Sequence, residues 1–208
     1  MSDETQYETR PEEQHRATDA SVFDAEKARE GVRLLLEAMG EEPDRPGLAD
    51  TWQRRVPDVF ETFSEGDRPA AKPTMRTFET DSDELVVKTG IPVYSLCEHH
   101  LLPYHGEAHV AYRPDGEVVG LSKLPRYVRW QSRRLTMQEE LTRDIADGLA
   151  GELGADAVLV EMTATHMCEA MRGVERETAT TTRATVGTPT DAERERFADA
   201  VSRAEGRR

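Results

Sequence analysis

The chain has 208 residues, and its 41 acidic and 27 basic side chains give a formal net charge of −14. This length suffices for one domain with extensions and for a core that folds without disulfides. The acidic balance disfavours nucleic-acid binding, and no apolar run is long enough to span a membrane. The first residues lack the basic start and apolar centre of a signal peptide, so we expect a cytoplasmic protein.

The basic side chains are nearly all arginine, because the chain contains only four lysines: Lys27, Lys72, Lys88 and Lys123. An excess of carboxylates combined with arginine in place of lysine predicts a surface adapted to high salt, as in a halophilic organism. The alternative is an ordinary acidic cytoplasmic protein.

The N-terminal third is expected to hold a tail and a helical region. Residues 1–20 are polar and acidic, which indicates a disordered tail. Residues 21–72 carry helical patterns, of which the first runs from Ala28 to Met39 and stops at a glycine. A second helix is predicted from Leu48 to Phe63, with a kink or a break at Pro57.

Residues 73–208 form the predicted catalytic domain. Apolar runs and alternating patterns predict its strands at 85–94, 108–112, 118–121, 158–166 and 178–186. Turn residues at 114–116 predict a hairpin between the second and third of these strands. Alternation also places His109 on the polar face of its strand, which indicates a solvated residue rather than a metal ligand.

Two helices are predicted between the strand pairs. The first begins near Leu124, and the second opens with a capping box, Thr136-x-x-Glu139, and ends at Gly154. A charged helix is expected from Asp191 onward. Taken as two hairpin-like strand pairs separated by the helices, the chain has a β-β-α-α-β-β order, which predicts an α+β domain with an antiparallel four-stranded sheet and two helices on one face.

The soft metal ligands are concentrated in two short segments. Cys97 and His100 are three residues apart, so one turn can direct a thiolate and an imidazole at the same ion, and Cys168 can supply a third ligand. Three ligands leave a position open for water, as in a catalytic zinc site. A structural site would add a fourth ligand, for which the candidates are His99, His105, His109 and His166. An inert cysteine pair and a disulfide also remain open, although a reducing compartment disfavours the disulfide.

A basic cluster interrupts the acidic background between positions 122 and 134. It contains Lys123, Arg126, Arg129, Arg133 and Arg134, and Arg172 and Arg176 follow the second cysteine. Positive charge near a metal site predicts a small phosphorylated substrate. The alternative is a solvated helix face.

Four motifs together resemble the GTP cyclohydrolase I family, and the resemblance extends over about residues 48–187. They are Cys97-Glu98-His99-His100, Gly120-Leu121-Ser122-Lys123-Leu124-Pro125-Arg126, Gln138-Glu139, and His166-Met167-Cys168 followed by Met171-Arg172-Gly173-Val174. The resemblance implies a tunnelling fold, in which the antiparallel sheets of several subunits join into a barrel. It also implies a homodecamer of two pentamers with active sites at subunit boundaries.

The resemblance further implies the reaction and its cofactor. GTP and water would give formate and 7,8-dihydroneopterin triphosphate, at the entry to pterin and tetrahydrofolate biosynthesis. Cys97, His100 and Cys168 would hold Zn²⁺, which favours the open catalytic site. His99 and His166 are the candidates for delivering a proton to nitrogen 7 of guanine.

The remaining family positions would bind the substrate. Ser122 and Gln138 match positions that contact the substrate and take part in catalysis, and the carboxylate of Glu139 can accept hydrogen bonds from N1 and N2 of guanine. The triphosphate would face Lys123, Arg126, Arg172 and Arg54. At Arg54 the chain departs from the Thr-Pro-x-Arg pattern of the family, because the proline is absent here and Arg55 is adjacent.

Two other functions remain open at the level of sequence. A related tunnelling-fold enzyme, such as a pyruvoyl-tetrahydropterin synthase-like or queuosine-pathway protein, would bind zinc through histidines only or use cysteine as a nucleophile. A zinc-stabilised binding module for acidic partners would have a closed site with four protein ligands.

Overall fold

The computed structural model describes residues 23–206, so the tail predicted at 1–20 lies outside the described residues. The helices are α1 (Ala25–Ala38), α2 (Val56–Thr62), α3 (Lys123–Gln131), α4 (Gln138–Leu153), α5 (Met167–Ala170) and α6 (Asp191–Glu205). The strands are β1 (Thr77–Glu79), β2 (Val86–Cys97), β3 (Pro103–Tyr112), β4 (Glu117–Val119), β5 (Leu135–Thr136), β6 (Ala157–His166) and β7 (Thr180–Gly187). Within the described residues, no helix is long and apolar enough to cross a membrane.

The main sheet has five strands in the order β5-β2-β3-β6-β7. Strands β2, β3, β6 and β7 pair antiparallel, and the two-residue β5 pairs parallel with the end of β2. The α+β class is therefore confirmed, but the sheet has one strand more than predicted. Leu135-Thr136 is too short to show an alternating pattern, so no periodicity marks this strand.

The hairpin predicted through residues 114–116 is wrong. Strand β4 pairs with β1 in a separate two-stranded sheet, where Val119 lies opposite Thr77. Strand β3 cannot accept β4 as a neighbour, because β2 and β6 occupy its two edges. A hydrogen bond from the Val119 N–H to Tyr112 Oη (3.0 Å) still ties the small sheet to the end of β3.

Both faces of the main sheet are buried over part of their area. Alternate residues of β6 pack with α3 and α4 in the larger core, which includes Val158, Val160, Met162, Leu124, Val128, Leu141, Ile145 and Leu149. On the other face, Phe197 and Val201 of α6 pack on Ala111 and Leu159. The alternating pattern therefore predicted the first face well, because period-two burial is what a half-covered strand shows.

His109 is buried rather than solvated, with 1 % of its surface exposed. Its Nδ1 accepts a hydrogen bond of 3.3 Å from the N–H of Gly90. Gly90 lies in a bulge of β2 and has a φ of +68°, a conformation that favours glycine. The expectation of a solvated side chain failed because the bulge brings a backbone donor against the imidazole on a face that α6 partly covers.

The helix predicted around Pro57 is interrupted, as expected. Residues 51–55 form one π-helical turn, and α2 continues with Pro57 in its first turn. Proline has no N–H to donate to the carbonyl of Gln53 four residues earlier. Arg29 Nε of α1 donates to that carbonyl instead, at 2.9 Å.

Two glycines of α4 provide a matched test of the packing of α3 against α4. A Cβ on Gly148 would lie 2.0 Å from Oη of the buried Tyr127, whereas a Cβ on Gly151 would meet no atom within 4 Å. We expect Gly148→Ala to lower the free energy of unfolding by about 1–3 kcal/mol through overpacking. We expect Gly151→Ala to raise it by up to about 1 kcal/mol, because alanine favours a helix. Urea unfolding of both variants checks this, and equal effects would contradict the packing described here.

Candidate active site

The site lies at the end of the sheet where two strands, β2 and β6, both finish. Tyr104 of β3 lies opposite Ser95 of β2 on one side and opposite His166 of β6 on the other. Strand β2 ends two residues later at Cys97, and β6 passes into α5, which contains Cys168. The sheet register therefore brings together two cysteines that are far apart in the sequence.

A tight turn after β2 orients the first two ligand candidates. The carbonyl of Cys97 accepts hydrogen bonds from the N–H groups of His100 (3.2 Å) and Leu101 (2.8 Å). Leu101 has a φ of +54°, which is uncommon for a residue with a side chain and often accompanies a functional site. The turn places Nδ1 of His100 3.6 Å from Sγ of Cys97.

Cys97, His100 and Cys168 form one cluster in which all three ligand atoms lie within 4.8 Å of one another. Ligand atoms of a tetrahedral zinc lie about 3.5–3.8 Å apart, so a small contraction would complete such a site. Both cysteines are free, which excludes the disulfide in this structure. Among residues 23–206, the cluster has these three members and contains none of the four histidines considered as a fourth ligand.

The donor set of this cluster fits zinc. Two thiolates and one imidazole are ligands that select zinc over the oxygen-preferring magnesium and calcium ions. Burial and the neighbouring Cys97 sulfur raise the pKa of the Cys168 thiol. A metal must displace the thiol protons to bind, so its affinity for this cluster should fall as the pH falls.

His166 lies beside the cluster in a defined hydrogen-bond network. Its Nε2 is 2.8 Å from Oε1 of Gln138, the first residue of α4. Its ring stacks on the buried ring of Tyr104, with 4.6 Å between centroids and 13° between planes. Burial lowers the pKa of His166, which favours the neutral form of its imidazole.

Glu139 follows Gln138 and lines an open cavity of about 470 Å³, together with Glu98, Thr136, Arg134, Arg143 and Asp144. The predicted capping box is absent. Met137 is the N-cap of α4 and makes no side-chain cap, while Thr136 belongs to β5 and its hydroxyl donates to the carbonyl of Met137 (3.0 Å). The exposed Glu139 carboxylate is therefore not engaged in helix capping.

His99 lies on the turn between the two ligand candidates. Its side chain is exposed, and its Nε2 is 3.7 Å from Oε1 of Glu98. The ring of His99 meets the ring of His100 edge-on, with 6.1 Å between centroids. His99 can therefore reach a molecule that approaches the cluster from solvent.

Ser122 and Lys123 lie at the other end of the sheet. They follow β4, whose Val119 is bonded to Tyr112, and Tyr112 pairs with Val86 at the start of β2. Cys97 is the last residue of the same 12-residue strand, which spans roughly 35 Å at 3.3 Å per residue. One copy of the chain therefore does not bring these residues to its own cysteine cluster.

The three other predicted triphosphate contacts lie at different places in the structure. Arg126 borders a cavity of about 310 Å³ beside the middle of β2, with Arg129 and Arg133. Arg54 is exposed and ion-paired with Asp50 (3.5 Å) and Asp58 (3.7 Å). Arg172, by contrast, follows α5 directly and is close enough to Cys168 to favour its thiolate.

Sequence reasoning missed the residues that support Gln138 and His166. Tyr104 was hidden among ordinary strand residues, and Thr142 and Thr182 each lie in elements where threonine is unremarkable. Thr142 Oγ1 and Thr182 Oγ1 are 2.7 Å apart, and Thr182 Oγ1 is 3.1 Å from Gln138 Nε2. This group forms only when α4 packs against β7, so no local sequence pattern could have shown it.

Fold and site together define an α+β protein with a Cys₂His group that could bind a metal, a histidine beside it and an adjoining polar cavity. A family model for GTP cyclohydrolase I matches residues 28–202. The "GTP cyclohydrolase 1" of Mycobacterium ulcerans is 46% identical over 207 residues, covering 97% of this chain and 96% of the relative. Those of Hyperthermus butylicus and Clostridium perfringens are 49% and 44% identical, covering 73% and 77% of this chain and 77% and 89% of theirs.

The chain belongs to the GTP cyclohydrolase I family. Among solved structures, the apo form of the archaeosine synthase QueF-Like aligns with 53% of this chain and all of its own, at a TM-score of 0.41 and 21% identity. A similarity at that level carries no argument about fold or function.

Removal of one ligand candidate should abolish metal binding. We expect purified His100→Ala to contain less than about a tenth of the zinc of the unaltered protein, because two cysteines alone hold the ion weakly. His105→Ala is the control, since His105 is an exposed histidine of β3 outside the cluster. Elemental analysis by mass spectrometry gives the metal content. Retention of full zinc by His100→Ala would show that the ion is held elsewhere.

Proposed function

We propose that this chain hydrolyses GTP, with a net uptake of one water, to formate and 7,8-dihydroneopterin triphosphate. The observation that carries the proposal is the Cys97, His100 and Cys168 cluster beside His166, in a chain of this family. Three protein ligands leave room for a water, which is what a hydrolytic metal site needs.

The cofactor of the proposal is Zn²⁺, held by Cys97, His100 and Cys168. When bound, zinc lowers the pKa of a coordinated water towards 7 and so provides a nucleophile at neutral pH. The cluster fits this use because its two thiolates would stabilise the ion. His100 is exposed, so an ion bound there would be accessible to water and substrate.

Side chains of the protein carry out the proton transfers of the proposed reaction. Attack of water at carbon 8 of guanine forms an O–C bond and moves the electron pair of the C8–N7 double bond onto nitrogen 7, which must gain a proton. His99 and His166 are the two histidines beside the cluster that can take part in this transfer. Ring opening, a second hydrolysis that releases formate and rearrangement of the ribose complete the reaction, with Ser122 and Gln138 as the proposed partners.

Glu139 selects guanine in this proposal. Its carboxylate accepts hydrogen bonds from the N1 and N2 donors of guanine, which adenine does not present. Support comes from its position next to Gln138 in the first turn of α4 and from the polar cavity that it lines.

The first test is turnover. The zinc-loaded protein incubated with GTP should release formate and a pterin that becomes fluorescent after oxidation. Glu139→Gln should weaken GTP binding at least tenfold, because one carboxylate acceptor becomes a donor, with a change in melting temperature below about 2 °C. Asp147→Asn, exposed on the same helix but outside this cavity, is the control. Absence of both products from the unaltered protein would refute the activity, and a Glu139→Gln variant that binds GTP normally would refute the guanine contact.

The triphosphate site is proposed to include residues from a neighbouring copy of the chain. Lys123, Arg126, Arg172 and Arg54 supply the positive charge, and Arg172 is the member nearest the cluster of its own chain. Ser122 and Lys123 lie at the opposite end of their own sheet, so the chain that provides them is a neighbour.

The sheet supports such an assembly. Among the described residues, β7 pairs on one side only, and β2 is covered on its outer side only by the two residues of β5. Strands with open edges tend to pair with another chain. Since β2, β3, β6 and β7 alternate in direction, β7 of one copy can pair antiparallel with β2 of the next and close a ring. We propose the tunnelling-fold barrel and the homodecamer of two pentamers because the family resemblance implies them, and the open edges of β2 and β7 support the closure of such a ring.

Complementation between inactive variants tests the shared site. Cys168→Ala removes a proposed metal ligand. Lys123→Ala removes a proposed phosphate contact at the opposite end of the sheet. When the two are co-expressed, about a quarter of the sites should combine an intact cluster with an intact neighbour, so about a quarter of the activity should return. Lys123→Ala with Arg126→Ala is the control and should regain nothing, because both residues come from the same copy. Failure of the first pair to complement would place the whole site within one chain.

Three broader features complete the proposal. The arginine-rich acidic composition supports a salt-adapted, cytoplasmic enzyme. The helical region at 21–72 is proposed as a unit distinct from the catalytic domain at 73–208; the exposure of α1 supports this, and residues 65, 66 and 72 are where the region bonds to α3, α4 and Arg133. No role for nucleic acid is proposed, because the net charge opposes it.

A further inference from the structure

The side-chain amide of Gln138 has one allowed orientation. Its Nε2 lies 3.1 Å from the carbonyl oxygen of Met162 on β6 and 2.9 Å from that of Thr180 on β7. Carbonyl oxygens only accept hydrogen bonds, so the atom facing them must be the NH₂ group. A flipped amide would put Oε1 against two acceptors in a position where Gln138 is only 1 % exposed.

Two threonine hydroxyls fix the same orientation independently. Thr142 Oγ1 donates to the backbone carbonyl of Gln138 at 2.7 Å, which uses its one proton. Thr182 Oγ1, 2.7 Å away, must then donate to Thr142, and its lone pairs face Gln138 Nε2 at 3.1 Å. The donors of Gln138 are thus fully used, and its one remaining function is the acceptor Oε1.

His166 meets that acceptor. The distance from Nε2 of His166 to Oε1 of Gln138 is 2.8 Å, so Nε2 must carry the proton and donate it. In the neutral form of the imidazole this is the only ring proton, so the hydrogen bond to Gln138 leaves Nδ1 bare in that form. Stacking on Tyr104 keeps the ring in this plane.

We propose that Gln138 is a positioning residue that holds His166 in the Nε2–H tautomer, so that Nδ1 is the nitrogen His166 offers as an acceptor in the reaction. The proposal deepens the proposed function and rests on it. Gln138 then takes its part in the reaction through His166, and this role replaces the substrate contact that the family resemblance implies, because the polar atoms of its side chain are already used within the protein. His166 in this state has no proton to give to nitrogen 7 of guanine, because its one proton is held by Gln138. That proton delivery falls to His99.

The tautomer can be observed directly. Zinc-loaded protein labelled with ¹³C,¹⁵N-histidine is studied by solid-state NMR at pH 8, and the His166 signals are assigned by their loss in His166→Asn. We expect the signal of a bare nitrogen to correlate with Cγ, which identifies it as Nδ1. Gln138→Met removes the acceptor at similar volume, so the Nδ1 signal should move towards the protonated value as the second tautomer is populated. Thr182→Val removes one acceptor of the Gln138 NH₂ group but leaves the acceptor Oε1 that faces His166. The His166 signals should therefore keep their positions.

Binding and turnover separate a positioning role from a substrate contact. Gln138→Met should lower kcat by about 10–100-fold, the range seen when the partner of a site histidine is lost. The Kd for GTP on metal-stripped protein should stay within about twofold. A proton on Nδ1 in the unaltered protein, or a GTP Kd raised tenfold by Gln138→Met, would overturn the proposal. Should the unaltered protein release no formate, the proposed reaction fails while the tautomer is still decided by the NMR signals.

Discussion

The pairing of β3 with both β2 and β6 is the constraint on which the rest of the site depends. Tyr104 lies opposite both Ser95 and His166, so β2 and β6 finish at the same end of the sheet. Both cysteines of the chain are therefore brought to that end. A shift of one residue in either pairing would turn the side chains at these strand ends to the other face. The buried alternate residues of β6 hold this register, since they would lose their packing against α3 and α4.

The same sheet separates the chemistry into two ends. One end carries the soft ligands and the His166 to Gln138 hydrogen bond, and the other carries Ser122 and Lys123. Because the proposed triphosphate contact and the metal-ligand candidates lie at opposite ends of one copy, the proposed site takes them from different copies. The open edges of β2 and β7 are a separate feature that supports the proposed assembly.

Much of this could be predicted from the sequence, because the relevant signals are local. Cys97 and His100 share one turn, so their spacing alone indicated a common ion, and α4 ends at Gly154 in the left-handed conformation as its position suggested. Strand β6 and its buried face followed from strict alternation. The four motifs also led to the family, which the comparisons confirm.

The failures arise where distant segments decide the outcome. His109 is buried because a bulge at Gly90 on another strand supplies a hydrogen bond, and β4 leaves the expected hairpin because β3 already has two partners. The Thr136 cap is lost because that residue joins the end of β2 as β5. The threonines that orient Gln138 were invisible for the same reason, since α4 and β7 meet only in the folded chain.

In the proposed site, two sulfurs and one imidazole hold a zinc ion that still has room for water. Zinc K-edge X-ray absorption of the zinc-loaded protein measures this coordination directly. The account predicts two sulfur neighbours at about 2.3 Å, one nitrogen at about 2.0–2.1 Å and one further light atom that changes when GTP is added. A shell of four protein ligands that GTP leaves unchanged, or a shell without sulfur, would contradict it.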